Sequence, residues 1–185
     1  IEDASHALGA KYRNFFIGSC KYSDICVFSF HPIKSITSGE GGMSLTNNSS
    51  LAKKMRLLSA HGIEKNKINS NGKWYYQQKL LGYNFRISDI HAALGVSQLD
   101  KLKKFIEKRK KIANIYNERL KKLSLLLPKI NKNCSSSYHL YVVRINKKPY
   151  LKNRKKLYNY LRKNNIGSQV HYIPLFLQPY YRSLG

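Results

Sequence analysis

The 185 residues carry 34 Lys and Arg against 9 Asp and Glu, a formal net charge of +25, with 42% hydrophobic and 12% aromatic content. That balance excludes a disordered polyelectrolyte and predicts a folded chain with one buried core, or one and a half. Three cysteines, Cys20, Cys26 and Cys134, lack metal-like spacing and speak for reduced thiols in a cytoplasmic protein without zinc; the longest apolar runs, 25–30 and 123–127, are too short to cross a bilayer, and no signal peptide is expected.

In chain order, Ile1-Glu2-Asp3 reads as the end of a strand. Asp3 stands at its carboxyl end with His6 three residues on, close enough to converge on one ligand if the chain turns helical there. Residues 7–12 are ambiguous, and 18–23 read as a turn-rich lead into the next strand. Residues 25–30 are a nearly continuous apolar run rich in β-formers, which predicts a strand buried on both faces, as in a parallel α/β sheet. Pro32 ends that strand and sets Lys34 on the loop just past its carboxyl end, where open α/β sheets place their ligands. Gly39, Gly41 and Gly42 permit positive φ or a close backbone approach before Met43-Ser44-Leu45-Thr46 resumes as a second strand, giving a hairpin-like corner.

A helix follows over 50–58, stopped near His61-Gly62. Residues 66–78, polar and bearing the only Trp, read as a long surface loop. Residues 82–86 are irregular, and Ser88 caps a helix beginning at Asp89. Leu99, Leu102, Ile106, Ile112, Tyr116, Leu120 and Leu123 then make a stripe near period 3.6 that ends before Pro128. Beyond it, 138–145 alternates like a strand, 150–164 like a helix and 168–173 like another strand, together one βαβ crossover. Both ends read as cut, and the piece alone is expected to be inactive and prone to aggregate for want of sheet neighbours.

The charge is uneven: residues 1–50 hold four Lys/Arg and four Asp/Glu, the remainder thirty against five. A nucleic-acid-binding protein is one reading of such a remainder. The lysines fall on outward faces of predicted helices, however, with no recognisable nucleic-acid-binding signature among them, so solvated helix faces are the preferred reading and neither nucleic acid nor membrane is expected as a partner.

Three segments together resemble the DegT/StrS-type sugar aminotransferases, pyridoxal-phosphate (PLP) enzymes of fold type I. They are Glu2-Asp3-Ala4-Ser5-His6; Phe28-Ser29-Phe30-His31-Pro32-Ile33-Lys34 with Gly39-Glu40-Gly41-Gly42; and Gly82-Tyr83-Asn84-Phe85-Arg86-Ile87-Ser88-Asp89. The tail around Gln169-Val170-His171-Tyr172 is similar to the branch that aminates a UDP-linked 4-keto-6-deoxy amino sugar on the way to pseudaminic acid. The resemblance implies an α/β fold of the aspartate aminotransferase type. On that reading residues 1–105 are the later part of a PLP-binding large domain, 106–127 a connecting helix and 128–185 the start of a small domain.

The resemblance also implies roles. Lys34 would carry PLP and move the proton, and its nucleophilicity at neutral pH requires its ordinary pKa near ~10.4 to be depressed. Asp3 would pair with the pyridine nitrogen. His6 would contact the ring or its 3′-oxygen, Ser29 would help hold the phosphate, and Asn84 would reach the same phosphate from a partner subunit, so that a homodimer shares its active sites. Arg86, His171 and Tyr172 are candidates on the substrate side, with L-glutamate as amino donor, and Arg86 suits a diphosphate. The family's phosphate loop at a helix N-terminus and its ring-covering aromatic have no counterpart in this sequence. A dehydratase of the same family, with histidine in place of the lysine, is disfavoured by Lys34.

Overall fold

The computed structural model describes residues 1–64, 72 and 74–185. Its elements are β1 (Glu2–Asp3), β2 (Lys11–Tyr12), β3 (Phe15–Phe16), β4 (Cys26–Ser29), β5 (Gly42–Leu45), α1 (Ser49–Ser59), β6 (Ile63–Glu64), β7 (Gln77–Gln78), α2 (Asp89–Leu99), α3 (Leu102–Leu120), β8 (Leu125–Leu126), β9 (Cys134–Ser135), β10 (Arg144–Ile145), α4 (Tyr150–Lys163) and α5 (Pro179–Arg182). They form two compact units, residues 1–113 with 130–140, and residues 114–129 with 141–185.

In the first unit the central sheet has the order β1-β4-β5. β4 runs parallel to β1, with Glu2 opposite Cys26 and Asp3 opposite Val27. On its other edge it runs antiparallel to β5, with Ser29 opposite Gly42. The expected hairpin-like corner is therefore present, but the strand is not buried on both faces: Cys26 and Phe28 are buried while Val27 and Ser29 are only partly so. An antiparallel partner allows that alternation, whereas the continuous apolar run suggested an all-parallel setting. Phe28, Cys26 and Ala4 form the core, with Ala7, Leu8, Ile17, Cys20, Phe30 and Leu45 packed around them.

Residues 3–6 form a turn rather than a helix, and the ambiguous stretch beyond them becomes β2, in a small antiparallel sheet of order β3-β2-β9. β9 explains why residues 130–140 lie with the first unit, although the sequence reading gave them to a second domain: Tyr12 stands opposite Cys134 and Lys11 opposite Ser135. Helix α1 is capped by Asn48, whose side chain accepts from the amides of Ser50 and Leu51. Ser88 caps α2 as expected, its Oγ accepting from the His91 amide at 3.3 Å. Of the loop expected over 66–78, residues 66–71 and 73 lie outside the described residues; its end is β7, paired antiparallel with β6.

In the second unit β10 pairs antiparallel with β8, Ile145 opposite Leu125. Residues 121–127 thus leave the expected connecting helix to supply a strand. α4 matches the expected helix over 150–164. The βαβ crossover is not formed: among the described residues 138–143 and 168–173 carry no strand, because the strand before α4 finds its partner upstream, in β8, rather than beyond the helix. Tyr141 Oη donates to Asn117 Oδ1 at 2.6 Å, and the Tyr116 and Tyr141 rings lie 5.0 Å apart. Among the described residues no helix is long and apolar enough to cross a membrane.

Candidate active site

The parallel pairing of β1 with β4 sets two carboxyl ends side by side, and the residues that follow them make the site. Asp3 ends β1 and is exposed. The Ser5 backbone N–H donates to its Oδ1 at 3.0 Å and the Ser5 hydroxyl donates to the same atom at 2.6 Å. These two donors hold the Asp3 carboxyl below its ordinary value of 3.8, and the nearby charges of His6 and Lys34 push in the same direction against a small cost of burial. His6 and Lys34 thus lie near enough for their charges to act on Asp3, behind the two contacts from Ser5.

Lys34 lies half-buried on the turn after β4, its amide donating to His31 O at 2.9 Å. Ser29, the last residue of β4, accepts from the His31 amide at 3.4 Å, so its hydroxyl sits inside the bend that carries Lys34. The return leg is tied at two levels: Phe30 N–H donates to Gly41 O at 2.8 Å and Ser38 N–H to Phe30 O at 3.0 Å. Gly39 adopts φ +80°, where a side chain would be strained and its Cβ would come within 3.1 Å of the His91 ring.

Asn84 and Arg86 occupy a second cluster of the same unit. Their segment is stitched to the end of α1 through Tyr83 N–H to Leu58 O (2.8 Å), His61 N–H to Tyr83 O (2.8 Å) and Phe85 N–H to Ser59 O (3.0 Å). The approach is so close that a Cβ on Gly82 would lie 2.3 Å from the Gly62 nitrogen. Arg86 Nε donates to Asn84 Oδ1 at 2.9 Å, and its Nη2 lies 3.4 Å from His61 Nε2. All three of Asn84, Phe85 and Arg86 are exposed, and the Tyr83 and Phe85 rings stack at 4.8 Å with 5° between their planes.

His171 and Tyr172 belong to the second unit, where their rings lie 4.0 Å apart on an exposed segment. That unit also has a cavity of about 460 Å³ lined by Phe176, Tyr181, Arg182, Leu184 and Gly185, none of them a predicted site residue. Two participants escaped the sequence reading: Ser5, which holds Asp3, and His139, whose ring lies 4.5 Å from that of His6. The Asp3-Ala4-Ser5 spacing carried a signal for the first, since a serine two residues past an aspartate can close such a turn. Nothing local could have given His139, which is 133 positions from His6 in the chain.

The profile of the DegT/DnrJ/EryC1/StrS aminotransferase family matches residues 1–185. The chain belongs to this family. Within it, the chain is 40% identical over 185 residues to the UDP-4-amino-4,6-dideoxy-N-acetyl-beta-L-altrosamine transaminase of Campylobacter jejuni, covering all of the chain and 47% of that protein. Helicobacter pylori PseC, an aminotransferase involved in the biosynthesis of pseudoaminic acid, superposes with a TM-score of 0.88 at 36% identity, over 98% of this chain and 47% of that one. Spr1654 from Streptococcus pneumoniae in its PLP form gives a TM-score of 0.88 at 31% identity, over 99% and 46%. The chain thus spans about half the length of the relatives it matches, and it has the fold of that part of a fold-type-I aminotransferase.

The residues present fit PLP, the cofactor of this family. An ionised Asp3 is the partner that a protonated pyridine nitrogen requires, and a half-buried lysine past a strand end can reach a carbonyl group.

Proposed function

We propose that this chain carries the cofactor-anchoring half of a PLP-dependent aminotransferase that moves an amino group from L-glutamate to C4 of a UDP-linked 4-keto-6-deoxy amino sugar. The observation that carries the reading is the parallel pairing that sets the carboxyl ends of β1 and β4 side by side, with Asp3 at one and the Lys34 turn beyond the other. PLP, when bound, supplies an electron sink for charge developing at the substrate carbon.

The chain's own residues supply the rest. Lys34 holds the cofactor through Nζ and afterwards takes and returns a proton at that atom. Asp3 keeps a proton on the ring nitrogen, and its ionisation, secured by Ser5, makes it a standing counter-charge. His6 steers the ring beside it, and Ser29 offers a hydroxyl to the phosphate. Asn84 serves the phosphate of a second copy's site, so the working form is a cytoplasmic homodimer. Arg86 offers paired donors to a diphosphate. His171 and Tyr172 act on the sugar side.

The C. jejuni and H. pylori relatives support the choice of sugar by their names. A second reading keeps the amino transfer and changes only the nucleotide-linked keto sugar. To test both, the full-length enzyme is loaded with PLP, reduced with borohydride and mapped by peptide mass spectrometry; the phosphopyridoxyl label is expected on Lys34. A label on another lysine refutes the assignment. Glutamate with a panel of 4-keto nucleotide sugars then decides the substrate: preference for a dTDP sugar lacking the acetamido group selects the second reading.

A further inference from the structure

His139 stands out among residues with no assigned role. It is buried, 9% exposed, yet it meets the exposed His6 edge to face with ring centroids 4.5 Å apart and 63° between the planes. The segment that delivers it is fixed at every step. β9 is paired to β2, Lys110 Nζ donates to Ser135 Oγ at 2.8 Å, and the hydroxyl of fully buried Ser137 donates to His6 O at 3.5 Å. Arg109 Nη1 then donates to both Tyr138 O and His139 O at 3.1 Å.

Between these ties Tyr138 adopts φ +48°, a left-handed conformation that costs a bulky residue energy and survives only where the surroundings impose it. The imposed bend is what turns the next residue, His139, onto His6. A histidine needed only to fill the core would require no such bend.

We infer that His139 is a positioning residue: its ring, aimed by the Arg109 clamp, fixes the rotamer of His6 beside Asp3. The inference rests on the proposed role of His6 at the cofactor ring, and it adds the element that orients it. An edge-to-face ring pair is worth roughly a two- to tenfold change in an equilibrium constant, which sets the expected scale.

The test uses the full-length enzyme with ¹³C,¹⁵N-histidine labelling, His6 being assigned by the signal lost in His6→Gln. Three-bond couplings that report the His6 χ1 angle are expected to show one rotamer in the wild type and in His139→Phe, which keeps a ring edge. They are expected to average over rotamers in His139→Ala and Arg109→Met. PLP affinity, read by fluorescence titration, should weaken two- to tenfold in the latter two and hold in His139→Phe. A single unchanged His6 rotamer in His139→Ala overturns the inference, as does His139→Phe behaving like His139→Ala. If His139→Ala does not fold, Arg109→Met and His139→Phe decide in the same way. A wild type that takes up no PLP overturns the aminotransferase reading instead, while the rotamer measurement still decides what His139 does to His6.

Discussion

Replacing Phe28 by alanine tests whether the core and the site are one construction. Phe28 is 4% exposed at the centre of β4, between Val27, which faces Asp3 in register, and Ser29. Its ring lies so close to Gly18 that a Cβ there would come within 2.7 Å of Cε2. Truncation leaves a hole walled on that side by the Gly18 backbone, which has no side chain to fill it. Phe→Ala changes cost about 3–5 kcal/mol, with poorly collapsing sites at the upper end, and about 4–5 kcal/mol is expected here. A domain is stable by only about 5–15 kcal/mol, so much of the fold is at stake. Urea unfolding should show a large fall in midpoint with an unchanged slope, whereas Phe28→Leu should cost about 1.5 kcal/mol or less. PLP uptake should fall with Phe28→Ala, since β4 registers both Asp3 and the Lys34 turn. A loss under about 1 kcal/mol at unchanged slope would refute the placement of the core on β4.

Three further outcomes follow. Asp3→Asn should retain PLP but slow the half-reaction with glutamate by roughly 10²-fold or more, the cost of removing one preorganised charge; a near-normal rate removes Asp3 from its role. Ser5→Ala should raise the Asp3 pKa towards its ordinary 3.8, because the Ser5 hydroxyl is the leading cause of its depression. In the wild type the matching contribution to stability is present above 3.8 and lost as pH falls through the depressed value, and carboxyl ¹³C titration reads both. Burial pushes the Cys26 thiol up to about 11, with Glu2 and Cys20 adding to it, so iodoacetamide at pH 8 should modify exposed Cys134 and spare Cys26 in the folded chain. Early labelling of Cys26, detected by mass spectrometry, would contradict its burial.

What could be read from the chain was local. The Lys34 turn, the Ser88 cap and the return strand β5 depend on residues within a few positions of one another, where Pro, Gly and Ser chemistry acts directly. Asp3 was legible as a strand end for the same reason, while the conformation after it stayed open between helix and turn. Long-range pairing was not legible. Leu125 and Leu126 look like the tail of the α3 stripe until Arg144 and Ile145 claim them, and 168–173 has strand-like residues with no ladder to join among the described residues. The partner decides such two-residue strands, and a partner is invisible in one segment's composition. His139 is the same lesson within the site, since its meeting with His6 depends on β9 finding β2.

The order of influences on Asp3 bears on how the site can work. Its carboxylate is held ionised first by the Ser5 hydroxyl, then by the Ser5 amide, with the charges of His6 and then Lys34 behind them. The two leading contacts come from two positions along the chain, at 2.6 and 3.0 Å, and form whenever that turn forms. Attraction between exposed charges is screened by salt, whereas a hydrogen bond at contact distance is far less so. Lys34 can therefore lose its positive charge on engaging a carbonyl group while Asp3 keeps its own, since only the last of its charge contributions is withdrawn. The Asp3-Ala4-Ser5 turn uncouples the two groups, and that is the reason to expect the Ser5 hydroxyl, a residue that need touch neither cofactor nor sugar, to matter for amino transfer.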